Sequence, residues 1–411
     1  MRILVVTQYF WPENFRINDL VQALSERGHQ ITILTGEPNY PSGNFFPEYL
    51  AGKAVFSNFG ESPVIRIPIF ARKNNRLSLF LNYLSFVISA STVGVWKLRK
   101  RSFDIIFVYE PSPITVGIPA AILRKIKKTP LAFWVLDLWP QTLNAVGIVK
   151  SKVILKLIGK LVKFIYSQCD LILAQSRSFI THIRQYAPAS VPVEYFPNWA
   201  ESIFENFPSE PAQEINKKPG DFIIMFAGNL GEAQDFPAIL NAAELLKSHK
   251  NIRWIVLGDG RMREWIKQEI QKRELQEQVE LLGSFPVKRM PSFFMHADAL
   301  LITLKDEPIF SMTIPGKLQS YLVSGIPIVG MINGEGLSLI NDNKVGKCVG
   351  SGSSSELARV ILEMIATPIS ERDEMGASGK SLYKNEFSRD ILIEKFEKTL
   401  SSLRNIYIKN S

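Results

Sequence analysis

Short apolar runs alternate with amphipathic helical stretches from the start of this 411-residue chain. The run "RILVVTQYF" is followed by "RINDLVQALSERG", where apolar residues recur every three or four positions and Gly28 supplies a stop, and then by "QITILTG". A strand, a helix and a second strand in that order predict a parallel sheet. The runs "PVIRIPIF", "DIIFVYE", "LAFWVLD" and "DLILAQS" continue the series, and helical segments separate them. The alternation breaks across residues 196–221, "FPNWAESIFENFPSEPAQEINKKPGD", whose Pro, Glu and Asn content reads as a domain boundary. Beyond it, "FIIMFAGNLG", "IRWIVLGDG", "VELLGSF", "ADALLITL" and "IPIVGMI" begin the pattern again. The fold expected is therefore α/β, with two doubly wound Rossmann-like domains at 1–205 and 206–388. A last helical segment, 389–411, is free to pack back on the first of them.

Composition agrees with two sizeable cores, since 46% of the residues are hydrophobic. The two cysteines, Cys169 and Cys348, lie far apart without neighbouring metal ligands, so they read as core thiols in a reducing cytoplasm. The N-terminus lacks the long apolar run of a signal peptide and is expected to be a first strand. Charge is uneven: residues 1–205 hold 23 Lys and Arg against 13 Asp and Glu, and the remainder 25 against 26. A basic first half suggests an anionic surface, either nucleic acid or a membrane leaflet. No RNA-binding signature, zinc finger or aromatic-spaced basic groove is present, which argues against nucleic acid.

In open α/β sheets ligands bind beyond the carboxyl ends of the strands. The first domain's strands end in Glu13 and Asn14, then "EPNYPSG" with Tyr40, then Glu110, then Asp137 with Trp139, and Ser176 to Ser178. Loops are polar in any case, but repetition after five strands favours a site. The second domain offers glycine turns instead, at Gly228, Asn229 and Gly231, at Gly258 and Gly260, and at Gly316. Missing side chains let backbone N–H groups approach an anion at a helix start. Lys317 begins a helix, the wrong end for a cation unless an anion is shared. With Arg261 nearby, the three turns point to a diphosphate. Arg263 stands where a dinucleotide fingerprint would need its third glycine.

The segments "GHQITILTG", "PNYPSG", "DLWP", "FPNWAE", "FAGNLGEAQDF", "VLGDGR" and "PGKLQSYLVSGIPIV" occur in the order found in the family 4 glycosyltransferases of GT-B fold, which the chain resembles over nearly its whole length. It is most similar to the WbuB-like bacterial O-antigen and capsule enzymes, some of which transfer N-acetyl-L-fucosamine. The resemblance implies two domains facing a cleft, with a nucleotide sugar, UDP-linked, in the second and a polyprenyl-diphosphate-linked saccharide acceptor in the first. It implies no cofactor and no metal, in keeping with the lack of a DxD triplet. Donor-binding residues would be Gly228, Asn229, Gly231, Gly258, Arg261, Ser284, Gly316, Lys317, Gln319 and Ser320. Acceptor-binding residues would be Asn14, Tyr40, Glu110 and Trp139, with Asp137 and Glu13 as candidate bases. The family's paired glutamates fall here on Met312 and Ser320, and its Arg and Lys after the second domain's first strand fall on Asn229 and about Gln234. Two other readings are a nucleotide-sugar 2-epimerase of the same fold and a non-catalytic nucleotide-sugar-binding protein. The first needs acid/base histidines that His29, His182, His249 and His296 do not supply at matching sites; the second is permitted by the missing glutamates.

Finally, "KSKVILKLIGKLVKFIY" sets Lys152, Lys156, Lys160 and Lys163 on one helix face, a pattern able to lie on an anionic inner leaflet. Arg72, Lys73 and Arg76, with Lys97 to Arg101, flank a second apolar stretch, Leu77 to Trp96. Asn82, Tyr83 and several Ser and Thr favour a helix that packs or dips into the interface over one that crosses. The chain is thus expected to be cytoplasmic and peripheral on the cell membrane.

Overall fold

Ile3 to Val6 are fully buried, and a run with no polar position suits a strand covered on both faces. In the computed structural model the described residues are 1–410 without 74, 146 and 209, and without the side chains of Arg76 and Asn410. The first sheet has β1 (Arg2–Val6), β2 (Gln30–Gly36), β3 (Asn58–Phe59), β4 (Ser62–Ile67), β5 (Ile105–Glu110), β6 (Leu131–Val135), β7 (Leu171–Ala174) and β8 (Val193–Tyr195). Its order is β3-β4-β2-β1-β5-β6-β7-β8, parallel except where β3 meets β4. The second has β9 (Phe222–Ala227), β10 (Ile252–Leu257), β11 (Val279–Gly283), β12 (Ala299–Thr303), β13 (Ile328–Met331) and β14 (Gly346–Val349), in the order β11-β10-β9-β12-β13-β14. All six strands are parallel, and the order in which the chain adds them reverses between β9 and β12, the switch point where such sheets open to ligands.

Every run read as a strand is one. Three further strands, β3, β8 and β14, are short edge pieces with little apolar signal. Two units emerge, one of Met1–Pro197 with the chain from Ile393 onward, the other Asn198–Leu392. The division thus falls at the start of the Pro-rich segment, because that segment packs on the second unit. Phe204 stacks on Phe294 at 5.7 Å, Ala212 N donates to Ser292 O at 3.0 Å, and Arg289 grips both oxygens of Glu214.

The helix Arg389–Asn410 contributes to the first core. Phe396 is fully buried between Phe107 and Phe196, at ring distances of 4.8 and 5.3 Å. Glu397 joins His29 at 2.7 Å and accepts from Arg27 at 2.6 Å. Replacing Phe396→Ala should lower the stability of this unit by about 3–5 kcal/mol, the usual cost of emptying a buried aromatic site. Urea unfolding followed by tryptophan fluorescence measures it, and a loss below about 1 kcal/mol would show that the helix is not part of that core.

Candidate functional site

In the second unit β9 and β10 end side by side, and both run straight into glycine. Gly228 has φ +146 and Gly258 φ +137, and a Cβ on Gly258 would lie 1.8 Å from the Gly228 carbonyl oxygen. One turn further, a Cβ on Gly260 would lie 2.5 Å from Leu230 O. Only glycine permits these backbones to touch. The loop after β12 is fastened to the loop after β9, since Thr303 Oγ1 donates to Gln234 O at 2.6 Å and Lys305 N to Ala233 O at 2.9 Å.

Lys317 reaches into this junction from the first turn of the helix Gly316–Ser324. Its stem is half-buried, while its ammonium sits 3.7 Å from the centre of the Phe226 ring and donates to Gln234 Oε1 at 2.8 Å. A Cβ on Gly228 would stand 3.1 Å from Nζ. No carboxylate pairs with Lys317 among the described residues, and burial lowers its pKa to about 7. Nothing lies within 4 Å of the Cβ that Gly316 lacks, so the helix start is open beside the ammonium. The arrangement sets one desolvated cation at glycine-rich strand ends, suited to a phosphate-bearing ligand.

The other residues assigned to this ligand divide. Asn229 packs against Gly231 and Gly260, within the same turns. Arg261 and Ser284 are exposed at neighbouring strand ends. Gln319 is buried, its amide nitrogen donating to Gly316 O at 2.9 Å and Pro315 O at 3.2 Å, and Ser320 is buried too. Gln234, noted in the sequence only as the place of a missing cation, and Phe226, which carries no signal, position the ammonium.

The first unit's strand ends converge as well, with altered roles. Glu13 is buried, and its oxygens accept from the backbone N–H groups of Asn39 and Tyr40, both at 2.8 Å, and of Phe10 at 3.1 Å. It clamps the loops after β1 and β2; burial pushes its pKa up to about 7 against the pull of those donors. Three backbone donors hold it in place, which suits a positioning group. Asp137 is half-buried, bonded by the Thr142 hydroxyl and by Trp139 Nε1 at 3.1 Å. Burial raises its pKa. Glu110 lies fully buried beneath it and accepts from Asp137 N at 3.4 Å; burial first, then the neighbouring Asp137, drive its pKa well up.

Asp137, Tyr40 and Trp139 line one cavity of about 630 Å³. Glu110 lies under it and exposed Asn14 is not in its wall. Tyr9, Arg72, Tyr83 and Ser112 line it too. Arg72 follows the apolar run that contains β4, a strand end like the others, and that position was the available signal. Among the described residues no cluster of three or more His, Cys, Asp or Glu is arranged to hold a metal ion.

Residues 14–199 match the family described as glycosyl transferase 4-like domain, and residues 209–382 match glycosyl transferases group 1. The chain is a glycosyltransferase of GT-B fold. A Pseudomonas aeruginosa protein named glycosyltransferase WbjE is 27% identical over 276 residues, 64% of this chain and 66% of its own length, so just under two thirds of that relative is matched. An Escherichia coli protein named as the colanic acid biosynthesis glycosyl transferase WcaI is 23% identical over 345 residues, 79% of this chain and 82% of that one. The structure of Anabaena HepE in complex with UDP superposes with a TM-score of 0.72 at 17% identity, covering 98% of this chain and 100% of that one. The group 1 match contains the glycine turns and Lys317 of the glycosyltransferase, and the 4-like match contains Arg72 and Asp137.

A phosphate arriving at Lys317 restores the charge that burial suppresses, so binding takes up a proton above pH about 7. Below that pH the ammonium is already charged and affinity is greatest. With UDP as probe, the dissociation constant of the glycosyltransferase should rise from pH 7 to 9 by at most about tenfold per unit. In Lys317→Met the constant should be weaker and flat over that range. A wild-type profile equally flat, read by titration calorimetry, would remove Lys317 from the anion site.

Proposed function

We propose that the enzyme transfers a sugar from a UDP-linked donor, held in the second unit, to a polyprenyl-diphosphate-linked saccharide held in the first, in the building of a bacterial surface polysaccharide. The observation that carries the donor half is Lys317, a desolvated ammonium without a carboxylate partner at glycine-lined strand ends. The UDP bound to Anabaena HepE and the colanic acid role in the name of WcaI support the donor class and the setting. The WbuB-like resemblance makes UDP-N-acetyl-L-fucosamine the first donor to test.

In the transfer, the acceptor hydroxyl oxygen forms a bond to the anomeric carbon as the bond from that carbon to the diphosphate oxygen breaks. UDP departs with the electron pair, its charge met by Lys317, Arg261 and the start of the helix Gly316–Ser324. The hydroxyl proton passes to Asp137. A carboxylate with a raised pKa is a better base, and the bonds from Thr142 and Trp139 fix its direction.

The test is transfer itself, with a panel of UDP-, GDP- and dTDP-sugars and a lipid-linked acceptor. Asp137→Asn should lower kcat by about 10²–10⁴-fold, the usual range for a positioned base, with UDP affinity unaltered. Retention of full kcat by this variant would exclude Asp137 as the base.

We further propose that the enzyme docks on the anionic inner leaflet. Lys152, Lys156, Lys160 and Lys163 are all exposed on the helix Lys152–Ser167, beside the equally exposed Val153, Leu157 and Phe164. Each lysine near the surface contributes about 1 kcal/mol, attraction that salt weakens. Changing all four to Gln should release the protein from phosphatidylglycerol vesicles in a flotation assay and spare transfer to a short soluble acceptor. Equal flotation of mutant and wild type would reduce the stripe to a solvated face.

A further inference from the structure

The helix Leu77–Leu98 lacks a polar face. One side, Asn82, Phe86, Ala90 and Leu98, is fully buried, yet the opposite side presents Leu77 at 68% exposure, Phe80 at 60% and Ile88 at 55%. A surface helix normally turns charged or polar residues outward. By length and composition the helix is apolar enough to cross a membrane, and 22% of its apolar 18-residue stretch is buried. Asn82 nevertheless fastens it to the sheet unit, accepting from Gln8 Nε2 and donating to Phe70 O, both at 2.6 Å.

The 630 Å³ cavity opens beside this exposed face. Phe80, Leu84 and Val87 form one wall, and Ile154, Ile158 and Leu161 of the lysine-bearing helix form the other. Its volume falls within the range of about 300–1,000 Å³ that holds a small organic ligand. At the far end the lining turns polar. There the Arg72 guanidinium lies 5.3 Å over the Tyr40 ring and makes no ion pair among the described residues, Asp137 stands nearby, and the Tyr9 hydroxyl is buried without a partner.

We propose that this cavity seats the isoprenoid chain of the acceptor, with the acceptor's phosphate at Arg72. This rests on the reading of a lipid-linked acceptor given above and adds that the enzyme binds the lipid part directly. A saccharide fits the walls badly, since sugar hydroxyls there would lose their hydrogen bonds to water without replacement. An amphiphile matches both ends, its chain against the leucine and isoleucine walls and its anionic head against the unpaired guanidinium. Continuity of the cavity walls with the exposed Leu77, Ile88, Val153 and Leu157 gives the chain a path from the bilayer without crossing water.

The probe is farnesyl diphosphate, titrated below its aggregation concentration without detergent and read by calorimetry. Wild-type protein should bind it, and Leu84→Asp should weaken binding by about tenfold or more, while Leu84→Met does not. Arg72→Gln should weaken farnesyl diphosphate but not farnesol. UDP affinity and melting temperature report that each variant is folded. The proposal is overturned if Leu84→Asp, folded by those measures, binds as wild type does, if inorganic diphosphate competes as well as the farnesyl compound, or if short-chain phosphatidylglycerol displaces it equally. Farnesyl diphosphate binding without transfer from any nucleotide sugar would sink the functional reading and leave the cavity assignment standing. Transfer without such binding would sink the cavity assignment alone.

Discussion

The carbonyl of Gly228 and the Cα of Gly258 meet where β9 and β10 end, and much of the second unit's site follows from that contact. A single Cβ on Gly258 would collide with the Gly228 oxygen at 1.8 Å. Without one, the two loops close over the strand ends, held by bonds from Gly228 N to Leu257 O at 2.9 Å and from Leu230 N to Asp259 O at 2.8 Å. The same missing side chain at Gly228 leaves room for the ammonium of Lys317, which would stand 3.1 Å from a Cβ placed there. Phe226 and Gln234 then hold that ammonium, a ring face and an amide oxygen, neither carrying a full charge. A cation so placed is desolvated without compensation, and its lowered pKa records that cost. An anion is the partner that relieves it.

The first unit solves the opposite problem, how to keep apolar surface without aggregating or collapsing on itself. Its helix Leu77–Leu98 is held by a buried Asn82 and by Gly94, where a Cβ would come 3.1 Å from the Leu34 side chain. The close packing fixes one face and so commits the other, equally apolar, face to the outside. The neighbouring lysines of Lys152–Ser167 then give that surface an orientation, because positive charge beside exposed apolar side chains suits an anionic leaflet better than another protein core.

The strands were legible because each is an unbroken apolar run bounded by turn residues, and a run buried on both faces has few other solutions. β14, "GKCV", was not, since a short edge strand with a lysine and one buried cysteine carries neither run nor alternation. The glycine turns were legible as tight turns because the residue type states the conformation. The division lies inside the segment read as the boundary, at Pro197 and not at 205, because composition cannot distinguish a loose linker from an irregular segment that packs, as Phe204 and Glu214 do. Asp137, Tyr40 and Trp139 were found at strand ends; Glu13 was found there as well, but sequence could not reveal that three backbone N–H groups already claim its carboxylate. Arg72 was counted only as charge, since its place in a cavity wall depends on helices distant in the chain.

Charge bookkeeping also makes sense of the departures from the family 4 pattern. The glutamate pair is replaced by Met312 and Ser320, both buried, while the cations expected after β9 are replaced by Asn229 and Gln234. Two negative and two positive charges vanish together, so the net charge of the strand ends is the same as if all four were present. With both gone, Gln234 accepts from Lys317 where a lysine would repel it. An incoming diphosphate then competes with no carboxylate for Lys317 among the described residues.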